Sequence, residues 1–139
     1  MNSTKSSKIY IFGNPDIPFD SLPLRILPQL REKFPEIDFV AVDPNEDFLA
    51  ESDEAIDLTI IDTAIGIKNV MIFDSLEKFT PAPHVGAHDF DTLASLRLLQ
   101  KLGKIKSVKI IAVPSDLDEE IVTEKVADIL VKYKWLSLQ

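Results

Sequence analysis

Short apolar runs rich in β-branched residues alternate along this chain with longer stretches whose apolar positions recur every three or four residues. Residues 8–12 (K-I-Y-I-F), 38–42 (D-F-V-A-V), 58–62 (L-T-I-I-D), 70–73 (V-M-I-F) and 108–113 (V-K-I-I-A-V) predict five strands. Leu24, Leu27 and Leu30 predict a helix over residues 22–34. Pro23 suits its first turn, Pro28 removes an interior hydrogen bond and predicts a kink, and Phe34-Pro35 ends it. A second helix is expected over residues 89–102, with Phe90, Leu93, Ala94, Leu96, Leu98 and Leu99 on a broad apolar face and Gly103 as its C-cap. A third is expected over residues 117–134. Its buried stripe is Ile121, Val122, Val126, Ile129 and Leu130, with acids (Asp118, Glu119, Glu120) at the positive end and Lys132 and Lys134 at the negative end.

The third apolar run is the most continuous, as a strand buried on both faces requires, and it is expected to terminate at Asp62. Alternating strands and helices predict a three-layer α/β/α domain around a five-stranded, mostly parallel sheet. Residues 66–69 make too short a link for a parallel crossover, so the fourth strand is expected to run antiparallel to its neighbour. The parallel strands share one C-terminal edge. Asp20 lies in the loop leaving strand one at that edge, and Asp62 ends strand three there. The second helix must return the chain to the opposite edge before strand five. Its start, at His88, is therefore expected beside the two aspartates; the loop over residues 77–87 spans about 36–40 Å at full stretch, against about 17–20 Å for a typical strand.

Composition narrows the function. At 139 residues the chain is expected to form one domain over residues 8–139, behind a disordered polar tail over residues 1–7. A net charge of −8 with no basic stripe argues against nucleic acid as a partner. The absence of cysteine excludes disulfides, thiolate metal sites and thiol nucleophiles. No apolar run is long enough to span a bilayer and the N-terminal residues lack a secretory pattern, so no membrane partner and a cytoplasmic location are expected. From Asp43 to Asp57 there are seven acids and no base. This reads as a solvated acidic surface, with a docking site for a basic partner as the alternative, and Asn45 or Asp47 as cap of a short helix through Phe48 and Leu49.

Asp20, Asp62 and His88 together suggest a divalent-metal site with open positions, and their residue types do not choose the metal. His84 is a rival ligand at i, i+4 from His88, but Pro83 and Gly86 oppose a helix there. There is no G-x-G-x-x-G after strand one, no P-loop and no G-x-S-x-G elbow. A phosphoacceptor receiver domain needs a lysine at the end of strand five, where this chain has Ala112-Val113-Pro114; Lys109 lies within the strand.

Three placements resemble the nickel–iron hydrogenase maturation endopeptidases over residues 8–131. They are Gly13-Asn14 with an acid six positions on at Asp20, I-I-D-T-A around Asp62, and a histidine opening the leucine-rich segment G-A-H-D-F-D-T-L-A-S-L. The resemblance implies a sheet of order 2-1-3-5-4. It also implies an endopeptidase that removes the C-terminal extension of a hydrogenase large-subunit precursor once nickel is inserted. Asp20, Asp62 and His88 would be its functional and metal-contacting residues, and the nickel would be carried by the precursor. Two positions depart from the family pattern: Phe19 stands where a second acid is usual and Pro23 where glycine is usual, with Asp16 placed to compensate in part. These departures keep open a non-catalytic chaperone that binds the precursor or its nickel site on the same fold.

Overall fold

The computed structural model describes residues 7–13, 15–42, 56–64, 66–75, 96–98 and 100–135. Strand β1 (Ser7–Ile11) leads through a 3-10 turn (Pro18–Asp20) to helices α1 (Leu22–Arg25) and α2 (Leu27–Lys33). Strands β2 (Ile37–Ala41), β3 (Ile56–Ala64) and β4 (Met71–Phe73) follow, then α3, to which the helical residues 96–98 and 100–101 belong. Strand β5 (Ile105–Pro114) and helix α4 (Glu119–Ile129), which relaxes into a π-type turn over Leu130–Trp135, complete the described chain.

The five strands form one sheet in the order β2-β1-β3-β5-β4. β1–β2, β1–β3 and β3–β5 are parallel and β4–β5 is antiparallel. The expected architecture, order and reversed strand are therefore all present. β4 pairs with β5, which lies between it and β3, as the order 2-1-3-5-4 requires. A loop of six residues spans the two strand spacings from β3 to β4, roughly 10 Å, with ease, so shortness forbids a parallel crossover without dictating adjacency.

Alternation along the strands divides the interior into two cores. Ile9, Ile11, Phe39, Ile61, Ile111 and Val113 face α1, α2 and α4, meeting Leu22, Ile26, Leu30, Val122, Val126 and Leu130. Phe12, Val42, Leu58, Ile60, Ile110 and Ala112 face the other way, toward Leu96 of α3. Each such aliphatic side chain contributes about 1.5–3 kcal/mol by leaving water, which is why the central strands β3 and β5 are apolar on both faces.

The predicted kink is a break. The first helix divides at Ile26, two residues before Pro28, which has no N–H to offer Leu24. Strand β3 also runs two residues past Asp62, because Thr63 and Ala64 continue the ladder with Val113 and Pro114. β1 begins at Ser7, so that residue belongs to the domain and not to the expected tail. The last helix is shorter than expected at both ends: Asp118 is its N-cap, its carboxylate accepting from the Glu120 N–H, and Lys132 and Lys134 lie in the π-type turn. The expected short helix at Phe48 lies outside the described residues.

Candidate functional site

Strand β1 has two neighbours, and beyond Phe12 it leaves both. The Phe12 N–H donates to Ile61 O and the Val42 N–H to Ile11 O, after which the chain turns away at Gly13. β3 runs on to Ala64 alongside β5 alone. The chain order reverses between the C-terminal ends of β1 and β3, and open α/β sheets position their ligands in the crevice at such a switch point.

Asp62 stands on the β3 wall of this crevice. It alternates with Leu58, Ile60 and Ala64, so it is presented on the α3 face of the sheet. Because Ile61 O points to β1, the N–H of Thr63 points the same way, into the space that β1 has left. Asp62 supplies the missing acceptor itself: its Oδ1 takes the Thr63 N–H at 2.8 Å. The carboxylate is thereby held over the crevice while closing an otherwise open backbone donor. On the opposite face, Thr63 Oγ1 is buried and makes no hydrogen bond among the described residues.

Asp20 arrives from the other side, as the last residue of the 3-10 turn, immediately before α1. Its N–H donates to Ile17 O, and its side chain is 2% exposed. The turn is pressed onto the end of β1. A methyl group on Gly13 would lie 2.9 Å from Asp20 O and 3.2 Å from Leu24 Cγ, so the approach requires a residue without a side chain. Ser21 holds the turn from behind, donating its hydroxyl to Pro18 O at 2.9 Å and accepting from Arg25 Nε at 3.0 Å. Arg25 reaches on to Glu119 Oε2 of α4 at 2.8 Å.

Among the described residues, Asp20 and Asp62 are the only charged side chains that are buried. A chain of immediate contacts joins them: Asp20 rests on Gly13, Gly13 follows Phe12, and Phe12 bonds Ile61, the residue before Asp62. Burying carboxylates is costly unless they are paired or hydrogen-bonded, and both Asp20 and Asp62 have such partners.

His88 and His84 lie outside the described residues, as does Asn14. Among those described, no three His, Asp or Glu side chains converge on one point. The helical residues 96–98 and 100–101 are those of α3 that the structure describes. They end at Gly103, whose positive φ of 80° turns the chain into β5 at the edge opposite the aspartates. Reading the sequence overlooked Ser21, Arg25 and Thr63, and used Gly13 only as part of the Gly13-Asn14 pair that carries the resemblance. The i, i+4 spacing of Ser21 and Arg25 was a usable signal; the 94-residue step to Glu119 was not.

No protein-family model and no curated protein sequence matches the chain. Solved structures do. The hydrogenase maturating endopeptidase HybD from E. coli superposes with a TM-score of 0.62 at 18% identity, covering 91% of this chain and 93% of that one. The nickel–iron hydrogenase maturation protease HybD from Thermococcus kodakarensis gives 0.59 at 19% identity, covering 91% and 97%. The solution structure of an endopeptidase from Escherichia coli gives 0.58 at 16%, covering 90% and 93%. At these identities the likeness is one of fold: nearly the whole chain shares the architecture of the HybD maturation proteases.

Proposed function

We propose that this protein is an endopeptidase that removes the C-terminal extension of a nickel–iron hydrogenase large-subunit precursor after nickel has been inserted. Supporting this reading is the placement of the two buried aspartates, Asp20 and Asp62, on either side of the β1–β3 crevice in a fold shared with HybD proteases. His88 is taken as the third member on the family resemblance, its position lying outside the described residues.

Nickel in this scheme is part of the substrate. Asp20, Asp62 and His88 recognise it through two carboxylate oxygens and an imidazole nitrogen, so an empty precursor offers them nothing to bind. The bound ion supplies Lewis-acid polarisation of the scissile carbonyl or of an attacking water. Asp62 is pre-aimed by its Thr63 N–H bond and Asp20 by the packed turn, so little ordering remains when precursor docks. The test is incubation with nickel-loaded and nickel-free precursor, with the C-terminus read by mass spectrometry. Release of the extension from the loaded form alone is expected; equal processing of both forms, or none of an authentic client, refutes the reading.

One alternative has specific support. Phe19 and Pro23 depart from the family pattern beside Asp20, which favours a non-catalytic chaperone that binds the precursor at its nickel site without cleaving it. In that case Asp62→Asn weakens complex formation while the precursor stays intact with wild type and variant alike.

A further inference from the structure

Arg25 links the turn that carries Asp20 to helix α4 through side-chain hydrogen bonds. Its Nε donates to Ser21 Oγ at 3.0 Å and its terminal nitrogen to Glu119 Oε2 at 2.8 Å. The single Ser21 hydroxyl proton is already committed to Pro18 O, so Ser21 meets Arg25 as an acceptor and the bonds run in one direction, from guanidinium to hydroxyl to the carbonyl that opens the 3-10 turn. Bonds in such series polarise one another. At the far end Glu119 is the first residue of α4, and its own carbonyl accepts from Thr123 Oγ1 at 2.7 Å.

Stability is a poor explanation for this arrangement. The Arg25–Glu119 pair is half-exposed, 44% and 38%, and exposed ion pairs contribute little net free energy. The helices it spans are already packed through Leu22, Ile26, Leu30, Val122 and Val126. What the fork does fix is the orientation of the turn whose last residue is Asp20, one residue before Ser21.

We propose that Arg25 is a positioning residue, gripping Ser21 and Glu119 together so that the Asp20 turn is set against α4 and its carboxylate is held in register with Asp62. The catalytic side of this inference rests on the maturation-protease reading; the mechanical side does not.

The test uses the full chain and three variants: Arg25→Ala, Arg25→Lys, which keeps a charge for Glu119 but loses the fork, and Glu119→Gln, which keeps an oxygen acceptor. Amide hydrogen exchange is read at Asp20 and Ser21, with Phe12 and Val122 as core references. Arg25→Ala is expected to speed exchange at Asp20 and Ser21 about tenfold with the references unmoved; the other two fall between it and wild type. On nickel-loaded precursor, kcat is expected to fall about tenfold to a hundredfold with KM within about twofold, as for a misplaced reacting group. Unchanged exchange at Asp20 in Arg25→Ala, or an equal rise at Phe12, overturns the proposal. So does wild-type kcat in Arg25→Ala when wild type processes the precursor. If wild type releases nothing while Asp20 exchange responds as expected, the protease reading fails and the positioning role stands.

Discussion

Replacing Gly13 with alanine is the most informative single perturbation, because one methyl group tests how tightly the Asp20 turn is held. The added carbon would stand 2.9 Å from Asp20 O and 3.2 Å from Leu24 Cγ. Leu24 can give way by a rotamer shift, but a backbone carbonyl moves only by carrying its turn with it. Overpacking of this kind costs about 1–3 kcal/mol. Gly13 does not have the positive φ that Gly66 and Gly103 adopt, so alanine also restricts the unfolded chain and returns about 0.4–1 kcal/mol. The net expectation is a loss of up to about 2.6 kcal/mol, or a fall in Tm of up to about 9 °C for a domain of this size. Urea and thermal unfolding followed by circular dichroism measure it. Gly66→Ala is the matched control: nothing lies within 4 Å of its added carbon, and only its φ of +90° resists the change. Both variants should be less stable than wild type, but only Gly13→Ala should also lose precursor processing, since it alone displaces Asp20. Wild-type stability and processing in Gly13→Ala would refute the claim that the turn is pinned to the end of β1.

Three further outcomes follow from the same contacts. Thr63→Val removes a buried hydroxyl that makes no hydrogen bond among the described residues and keeps its shape, so stability should be unchanged or higher by up to about 1 kcal/mol in urea unfolding. Asp62→Ala leaves the Thr63 N–H without an acceptor and should cost about 1–3 kcal/mol, whereas Asp62→Asn retains an oxygen for that bond and should cost distinctly less; both should abolish nickel-dependent processing, which separates the two duties of this residue. Asp118→Ala removes the side-chain cap of α4 and should lower stability by about 0.5–2 kcal/mol in the same assay, with kcat on the precursor unaffected.

Much of this molecule is legible in the chain because burial on both faces leaves a strong signature. The apolar runs around Ile61 and Ile111 mark the central strands, and Pro28 marks the helix break at Ile26. Strand neighbours are a different matter. Side-chain pattern says which residues are buried but not which strand lies beside which, so the order β2-β1-β3-β5-β4 came from family resemblance, and the place of β4 beyond β5 was invisible to periodicity. A polar residue inside a ladder misleads in the same way: Asp62 looked like the end of β3 because its side chain is charged, yet the backbone pairing with β5 continues to Ala64. The two aspartates could be placed on one edge from chain direction alone. The devices that hold them there depend on contacts remote in sequence, Gly13 under Asp20 and Arg25 on Glu119, and no local pattern announces those.

The central claim is that one nickel ion, brought by the precursor, meets Asp20, Asp62 and His88 together. Nickel-edge X-ray absorption on the complex of this protein with nickel-loaded precursor tests that most directly, with the precursor alone and the His88→Ala complex as comparisons. New oxygen and nitrogen scatterers in the wild-type complex, and loss of the imidazole contribution in His88→Ala, are the predicted result. A nickel spectrum identical in precursor alone, wild-type complex and His88→Ala complex would contradict the account.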